Sequence, residues 1–225
     1  MCGRYAIPDT GDILVRFTGM RIGIDVKPRY NAAPSQDLPV VVNDGKPHVE
    51  FMRWGLVPFW AKDSNIGYKM INARAETLSQ KPSFRKALSL QRCIVPAGGF
   101  YEWKQVDREK IPYYIFLKDH ALFGFAGLYD VWKDKQGKEL KSYTIITTQP
   151  NTLLEPIHNR MPVILEKKDE KEWLNPDETE ATRLLKLLHP YPASEMDTYP
   201  VSRLVNSPAN DTKEVIEPVK ADGDA

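Results

Sequence analysis

The chain has 225 residues, is 42% hydrophobic and 27% charged, and carries a formal net charge of +1. That near-balance excludes a protein that coats duplex DNA by bulk charge, while a local basic groove stays open. The longest apolar runs are too short to span a bilayer and the start lacks the pattern of a signal peptide, so a cytoplasmic protein is expected.

Residues 9–20 read as a short helix, capped by Asp9 or Thr10, with Ile13, Leu14 and Phe17 on one face. Residues 29–34 read as an irregular loop. Residues 38–42 and 49–54 are two β-rich runs around Asn43-Asp44-Gly45, which predicts a hairpin. A Gly/Pro-broken aromatic loop follows over 54–60. Residues 72–76 lead into a helix reaching about Leu78, and a second helix is predicted over 82–90 with Pro82 in its first turn. Five short β-rich runs then crowd the centre, at 93–95, 100–104, 113–118, 122–129 and 143–148. A helical turn at 151–155 and a strand at 162–165 come next. Helices are predicted over 168–173 and 178–188, the latter capped by Asp177 with Glu180 three residues on. A last strand covers 196–201. The pattern predicts an α+β fold: a single domain over 1–217, with a mainly antiparallel, barrel-like sheet core flanked by short helices. Residues 218–225 read as a disordered tail. No glycine-rich phosphate loop opens a helix.

The two cysteines, Cys2 and Cys93, form no C-x-x-C, and the histidines complete no metal-ligand spacing. Neither a metal nor a cofactor is expected. Cys93, between apolar neighbours, reads as a core residue. Cys2 is chemically different. Removal of Met1 leaves an α-amine and a thiol on adjacent carbons. At pH 7.4 roughly a quarter of an α-amine is neutral, against about a thousandth of a lysine. Such a residue pairs a nitrogen nucleophile for aldehydes with a sulfur nucleophile. The plain alternative is an accident of the chain's start.

Three further residues carry possible chemistry, each with a plain alternative. Glu102 lies among aromatics in Gly-Gly-Phe-Tyr-Glu-Trp (98–103), where lost hydration raises a carboxyl toward acid–base use. A cross-strand ion pair explains it equally well. His158 precedes Asn159 and Arg160 in a loop suited to proton transfer, or is simply solvated. Asn72 can orient an amine or carbonyl through its amide, or cap the predicted helix. Arginines interleaved with Trp54, Phe59, Trp60 and Tyr101 suit single-stranded nucleic acid, though both tryptophans also fit a core.

Seven motifs occur in order: Met-Cys-Gly-Arg-Tyr (1–5), Tyr-Asn-Ala-Ala-Pro (30–34), Trp-Gly-Leu-Val-Pro (54–58), Asn-Ala-Arg-Ala-Glu-Thr (72–77), Arg-Cys-Ile-Val-Pro-Ala-Gly-Gly-Phe-Tyr-Glu-Trp (92–103), Phe-Ala-Gly-Leu-Tyr (125–129) and His-Asn-Arg-Met-Pro-Val-Ile-Leu (158–165). Together they resemble the SOS-response-associated peptidase family of abasic-site processing proteins, from residue 1 to about 206. Tyr129, where Trp is usual, and Pro150, where Ala is common, depart from that pattern. The resemblance implies a monomer acting on abasic sites in single-stranded DNA. The Cys2 amine forms a Schiff base with the opened sugar, and the thiol closes a thiazolidine ring. It further implies that Asn72 positions the amine or sugar, that Glu102 shuttles protons and that His158 acts on the sugar or phosphate and assists strand cleavage. Arg4, Asn31, Arg74 and Arg160 are implied as DNA contacts, with Trp54 and Trp60 shaping the groove. A peptidase activity confined to the chain's own first residue is implied as well. The competing readings are an N-terminal-nucleophile hydrolase cleaving amides and a non-covalent single-strand binding module.

Overall fold

The computed structural model describes residues 2–8, 11–19 and 27–219, and strands dominate them. Strand β1 (Tyr5–Ile7) leads into helix α1 (Gly11–Thr18), strand β2 (Arg29–Ala32) and the hairpin of β3 (Asp37–Asn43) and β4 (Pro47–Trp54). A long loop then precedes β5 (Asn72–Arg74) and helix α2 (Pro82–Leu90). Strands β6 (Arg92–Ala97), β7 (Gly99–Val106), β8 (Glu109–Leu117), β9 (Phe123–Lys133) and β10 (Glu139–Thr148) follow. Strand β11 (Met161–Pro162), helices α3 (Glu170–Trp173) and α4 (Ala181–Leu185) and strand β12 (Met196–Pro200) complete the order. No helix among the described residues is long and apolar enough to cross a membrane.

Five strands close on themselves in the order β10, β4, β3, β6, β9 and back to β10, giving the barrel-like core expected of the α+β class. Only the β4–β10 contact in that ring is parallel, pairing Arg53 with Ser142 and Trp54 with Tyr143. The far end of β10 outruns the ring and gains two new neighbours. There β5 runs parallel to it, with Asn72 opposite Ile145, and β11 runs antiparallel, with Pro162 opposite Thr147. This end of β10 collects residues from two otherwise distant stretches of chain.

A second sheet, ordered β12, β8, β7, β1, β2, packs against the barrel. Its alternation sorts side chains to two faces. Tyr5, Ile7, Phe100, Ile115 and Leu117 join the main core, while Ala6, Tyr101, Tyr114 and Phe116 join a smaller cluster with Val201, Val205 and Val215. The sheet needs glycine at Gly99, where a β-carbon would stand 2.2 Å from the Tyr114 ring. Gly55 ends β4 at φ +126°, where a β-carbon would stand 2.7 Å from the Gly67 carbonyl oxygen.

The β3–β4 hairpin, the helix over 82–90 and the central strands lie where the sequence pattern puts them. Other elements differ. The expected loop over 29–34 contains β2, which pairs with β1 and satisfies the Tyr30 and Asn31 N–H groups on the Asp211 carboxylate at 2.6 and 2.8 Å. The expected helix after Asn72 is a short strand and one 3-10 turn, because β10 offers Asn72–Arg74 a free edge. Helix α4 is shorter than expected, and Glu180, not Asp177, precedes it without a side-chain cap. Pro218 and Val219, expected in the disordered tail, are instead held beside β12, where the Val219 N–H donates to the Pro200 carbonyl at 3.0 Å, while Asp9, Thr10, Met20 and residues 220–225 lie outside the described residues.

Candidate active site

Cys2 sits just before β1 with no exposed surface. Its Sγ donates to the Arg4 carbonyl oxygen at 3.8 Å, and that same oxygen accepts from the Tyr101 N–H at 3.0 Å. The β1–β7 register, Tyr5 opposite Phe100, runs on toward Gly3 and Glu102. Glu102 is 2% exposed. Burial raises its carboxyl from 4.5 to about 7, against the pull of the amino terminus and a main-chain hydrogen bond from Trp103. Burial also pushes the Cys2 thiol far above its ordinary range, and the Glu102 charge adds to that. At neutral pH the sulfur is therefore a thiol, while Glu102 exchanges a proton readily.

The end of β10 supplies the rest. The Asn72 amide donates to the Ile71 carbonyl at 3.0 Å and to that of Ile145 at 3.5 Å. Its Oδ1 is buried without a hydrogen-bond partner among the described residues. An unpaired buried acceptor costs free energy, which fits a group waiting for a donor such as an amine or hydroxyl. His158 precedes β11. Burial lowers its pKa, and the charge of Arg160 pushes the same way, which favours the neutral ring.

The expected DNA contacts divide. Arg74 is exposed on β5 and Trp60 is 48% exposed on the loop after β4. That loop is held firmly: Ser142 Oγ accepts from the Val57 N–H at 2.8 Å, Asp130 from the Phe59 N–H at 2.9 Å, and Trp132 donates to the Ala61 carbonyl at 2.7 Å. The Phe59 ring carries the Lys86 ammonium 4.4 Å from its centroid. Arg4 is half-buried and donates to the Val205 carbonyl at 2.8 Å and to Asn31 Oδ1 at 3.4 Å. Arg160 is spent on Glu76 and Thr147.

Two expected contacts do not reach the surface. Asn31 is fully buried, and its amide donates to the carbonyls of Val205, Ser207 and Asn210 at 3.1, 2.9 and 2.9 Å. It clamps the 205–210 segment and leaves no face for DNA. Trp54 is 1% exposed, with Nε1 bonded to the Ile71 carbonyl at 2.9 Å, so it offers no ring to a base. The alternation of β4, with Phe51 and Arg53 outward and Met52 and Trp54 inward, held that signal. Glu76, Asp130 and Ser142 were not singled out by residue type, because their partners are remote in sequence. Away from the site, Glu166, Asp169 and His189 bring donor atoms within 4.8 Å of one another, a cluster that sequence spacing did not suggest. Lys168 already pairs with Glu166 there at 2.8 Å.

The family model described as SOS response associated peptidase (SRAP) matches residues 1–208. The abasic site processing protein YoqW of Bacillus subtilis is 53% identical over 222 residues, covering 96% of this chain and 99% of its own. The abasic site processing protein HMCES of Xenopus tropicalis is 34% identical over 220 residues, covering 84% of this chain and 65% of its own. A crystal structure of a protein from Bacteroides thetaiotaomicron superposes with a TM-score of 0.86 at 32% identity, covering 97% of this chain and all of that one.

Proposed function

This chain belongs to the SOS response associated peptidase (SRAP) family, and we propose that it processes abasic sites in single-stranded DNA by covalent capture on Cys2. The observation that carries the reading is the buried, un-ionised Cys2 thiol beside a carboxyl raised to about 7. The names of relatives such as YoqW and HMCES support the substrate.

In this reading Met1 is first removed, which frees the α-amine of Cys2. The neutral amine attacks the aldehyde carbon of the ring-opened sugar and gives a carbinolamine. Glu102, protonated, donates a proton to the departing hydroxyl, and water leaves to form the Schiff base. The thiol then adds to the carbon of this protonated imine, its proton passing to the Glu102 carboxylate while the C=N electron pair returns to nitrogen, which keeps its hydrogen. The net change is one aldehyde plus Cys2 giving a thiazolidine and one water. Ring closure is intramolecular, so proximity replaces a bimolecular encounter. A carboxyl near pH neutrality serves both proton steps and their reversal. Asn72 Oδ1 accepts from the amine or a sugar hydroxyl. His158 hydrogen-bonds a sugar or phosphate oxygen. From the Schiff base, loss of a proton at C2′ expels the 3′ phosphate, which is the lyase branch. The peptidase activity is confined to release of Met1. An un-ionised thiol is a poor nucleophile for amides, which disfavours a general cysteine hydrolase.

The test is incubation of the purified protein with an abasic single-stranded oligonucleotide, followed by a denaturing gel and intact mass. A covalent band is expected, equal in mass to protein plus oligonucleotide minus one water. No such band, or an undiminished one from Cys2→Ala, overturns the reading.

A further inference from the structure

We infer that Glu76 is a positioning residue for His158, acting through Arg160; this rests on the reading of His158 as a participant in the reaction.

Glu76 lies on the 3-10 turn Ala75–Thr77 that follows β5. It grips Arg160 with both oxygens, Nη1 to Oε1 at 2.7 Å and Nη2 to Oε2 at 2.9 Å. Nη2 also donates to the Thr147 carbonyl at 2.7 Å. The guanidinium is therefore fixed by two carboxylate oxygens and one main-chain oxygen, and only 12% of the side chain is exposed. Most surface ion pairs contribute little, but a bidentate arginine with low exposure is the exception. The pair ties the turn after β5 to the segment before β11, across the end of β10.

What is fixed at Arg160 reaches His158 through the main chain. The Arg160 N–H donates to His158 Nδ1 at 3.0 Å. An amide N–H can only donate, so Nδ1 bears the lone pair and Nε2 bears the proton. The Arg160 carbonyl also lies 3.2 Å from Nδ1. The two groups flank the Arg160 Cα, so a small change in the Arg160 backbone dihedrals exchanges the donor for that acceptor and favours the opposite tautomer. A neutral histidine that must offer Nε2–H to an oxygen needs the peptide held. Glu76 holds it from 84 residues away in sequence.

Charge supports the same conclusion. A carboxylate at the rim of a site for phosphodiesters repels its ligand, and Arg74 and Arg160 both act on this one. Spent on Arg160, Glu76 offers a phosphate nothing, and its place is accounted for by what it orients.

The experiment is long-range nitrogen–proton NMR of the histidine rings in DNA-free, nitrogen-15-labelled protein at pH 8. His158 of the native chain is expected to show the pure Nε2–H signature. In Glu76→Ala the His158 ring nitrogens are expected to shift toward averaged values of mixed tautomers, while His48, His120 and His189 keep theirs and report an intact fold. Glu76→Gln, whose amide accepts from only one guanidinium nitrogen, is expected to fall between, and it carries the test if the alanine variant does not fold. Strand cleavage or crosslinking in Glu76→Ala is expected to slow about tenfold. An unchanged His158 signature in a folded Glu76 variant overturns the inference. A native protein that fails to crosslink overturns the proposed function, and leaves the tautomer result standing.

Discussion

The hydroxyls of Tyr5 and Tyr143 lie 2.8 Å apart with both side chains fully buried. Tyr5 opens β1, just after the segment that holds Cys2, and Tyr143 belongs to β10, whose far end pairs with β5, carrying Asn72, and with β11, which follows His158. Trp54 buttresses both: its ring meets the Tyr5 ring edge at 5.1 Å and 65°, and stacks on Tyr143 at 6.4 Å and 11°. One buried hydrogen bond, wedged by an indole, thus joins the two halves of the site.

Removing either hydroxyl leaves the other buried and unpaired. Tyr5→Phe and Tyr143→Phe are each expected to cost about 1–3 kcal/mol in urea unfolding, and the double variant about as much as one single variant. Strictly additive losses would show that the two hydroxyls do not depend on each other.

The amine and the sulfur separate in Cys2→Ser. The variant keeps the α-amine once Met1 is gone, so under the proposed mechanism it is expected to form a Schiff base that borohydride traps. It lacks the thiol, and so the adduct without reductant is lost on heating. A heat-stable Cys2→Ser adduct without borohydride rules out the thiazolidine step.

Glu102 ties stability to pH with a definite sign. Its carboxyl holds a proton up to about pH 7 in the folded chain and releases it near 4.5 when unfolded. Between those values the folded state binds more protons, so stability falls as pH rises through the window and stays lower above it. At about 1.4 kcal/mol per pKa unit the loss is on the order of 3 kcal/mol. Glu102→Gln abolishes this contribution: its stability relative to wild type is expected to grow from pH 4.5 to 7 and then level off. Its crosslinking is expected to slow by about 10²-fold or more, as for loss of a general acid–base. Urea unfolding at several pH values reads the first effect, and parallel curves for the two proteins contradict it.

The sequence made much of this fold legible, for local reasons. Pro82 and the apolar spacing behind it marked α2, and Asn43-Asp44-Gly45 marked the β3–β4 turn. Cys2, Asn72, Glu102 and His158 each had a plain alternative by residue type, and the ordered motifs rather than their chemistry alone singled them out. What stayed hidden depends on partners far along the chain. β2 has no alternation of its own and exists because Asp211 and β1 meet it. Asn31 matched a motif, yet its three carbonyl partners lie beyond residue 204. Glu76 and Arg160 are each unremarkable charges until β10 brings them together.

Trp54 and Trp60 are six positions apart and are expected to fail differently. Trp54→Ala empties a core site and is expected to cost about 3–5 kcal/mol of stability. Trp60→Ala removes a half-exposed ring and is expected to leave the melting temperature unchanged. If a base stacks there, it weakens single-stranded DNA affinity by about 1–3 kcal/mol. Calorimetry and fluorescence anisotropy separate the two, and a Trp60 variant that melts early but binds normally reverses the assignment.

Arg74 and Asn31 offer the sharpest contrast on electrostatics. Arg74 is exposed beside Asn72, where a guanidinium has freedom to meet a phosphate. Each phosphate contact to a single strand contributes about 0.7 to the slope of log affinity against log salt. Arg74→Ala is therefore expected to flatten that slope by about 0.7 and to bind more weakly at low salt, with stability unchanged. Asn31→Ala takes no charge from the groove. It removes one donor from the carbonyls of Val205, Ser207 and Asn210, of which Val205 keeps Arg4, at about 1–3 kcal/mol of stability, and loosens the segment whose Val205 carbonyl anchors Arg4. Its salt slope is expected to match wild type. A flattened slope in Asn31→Ala with unchanged stability would return Asn31 to the DNA interface, and an unchanged slope in Arg74→Ala would remove Arg74 from it.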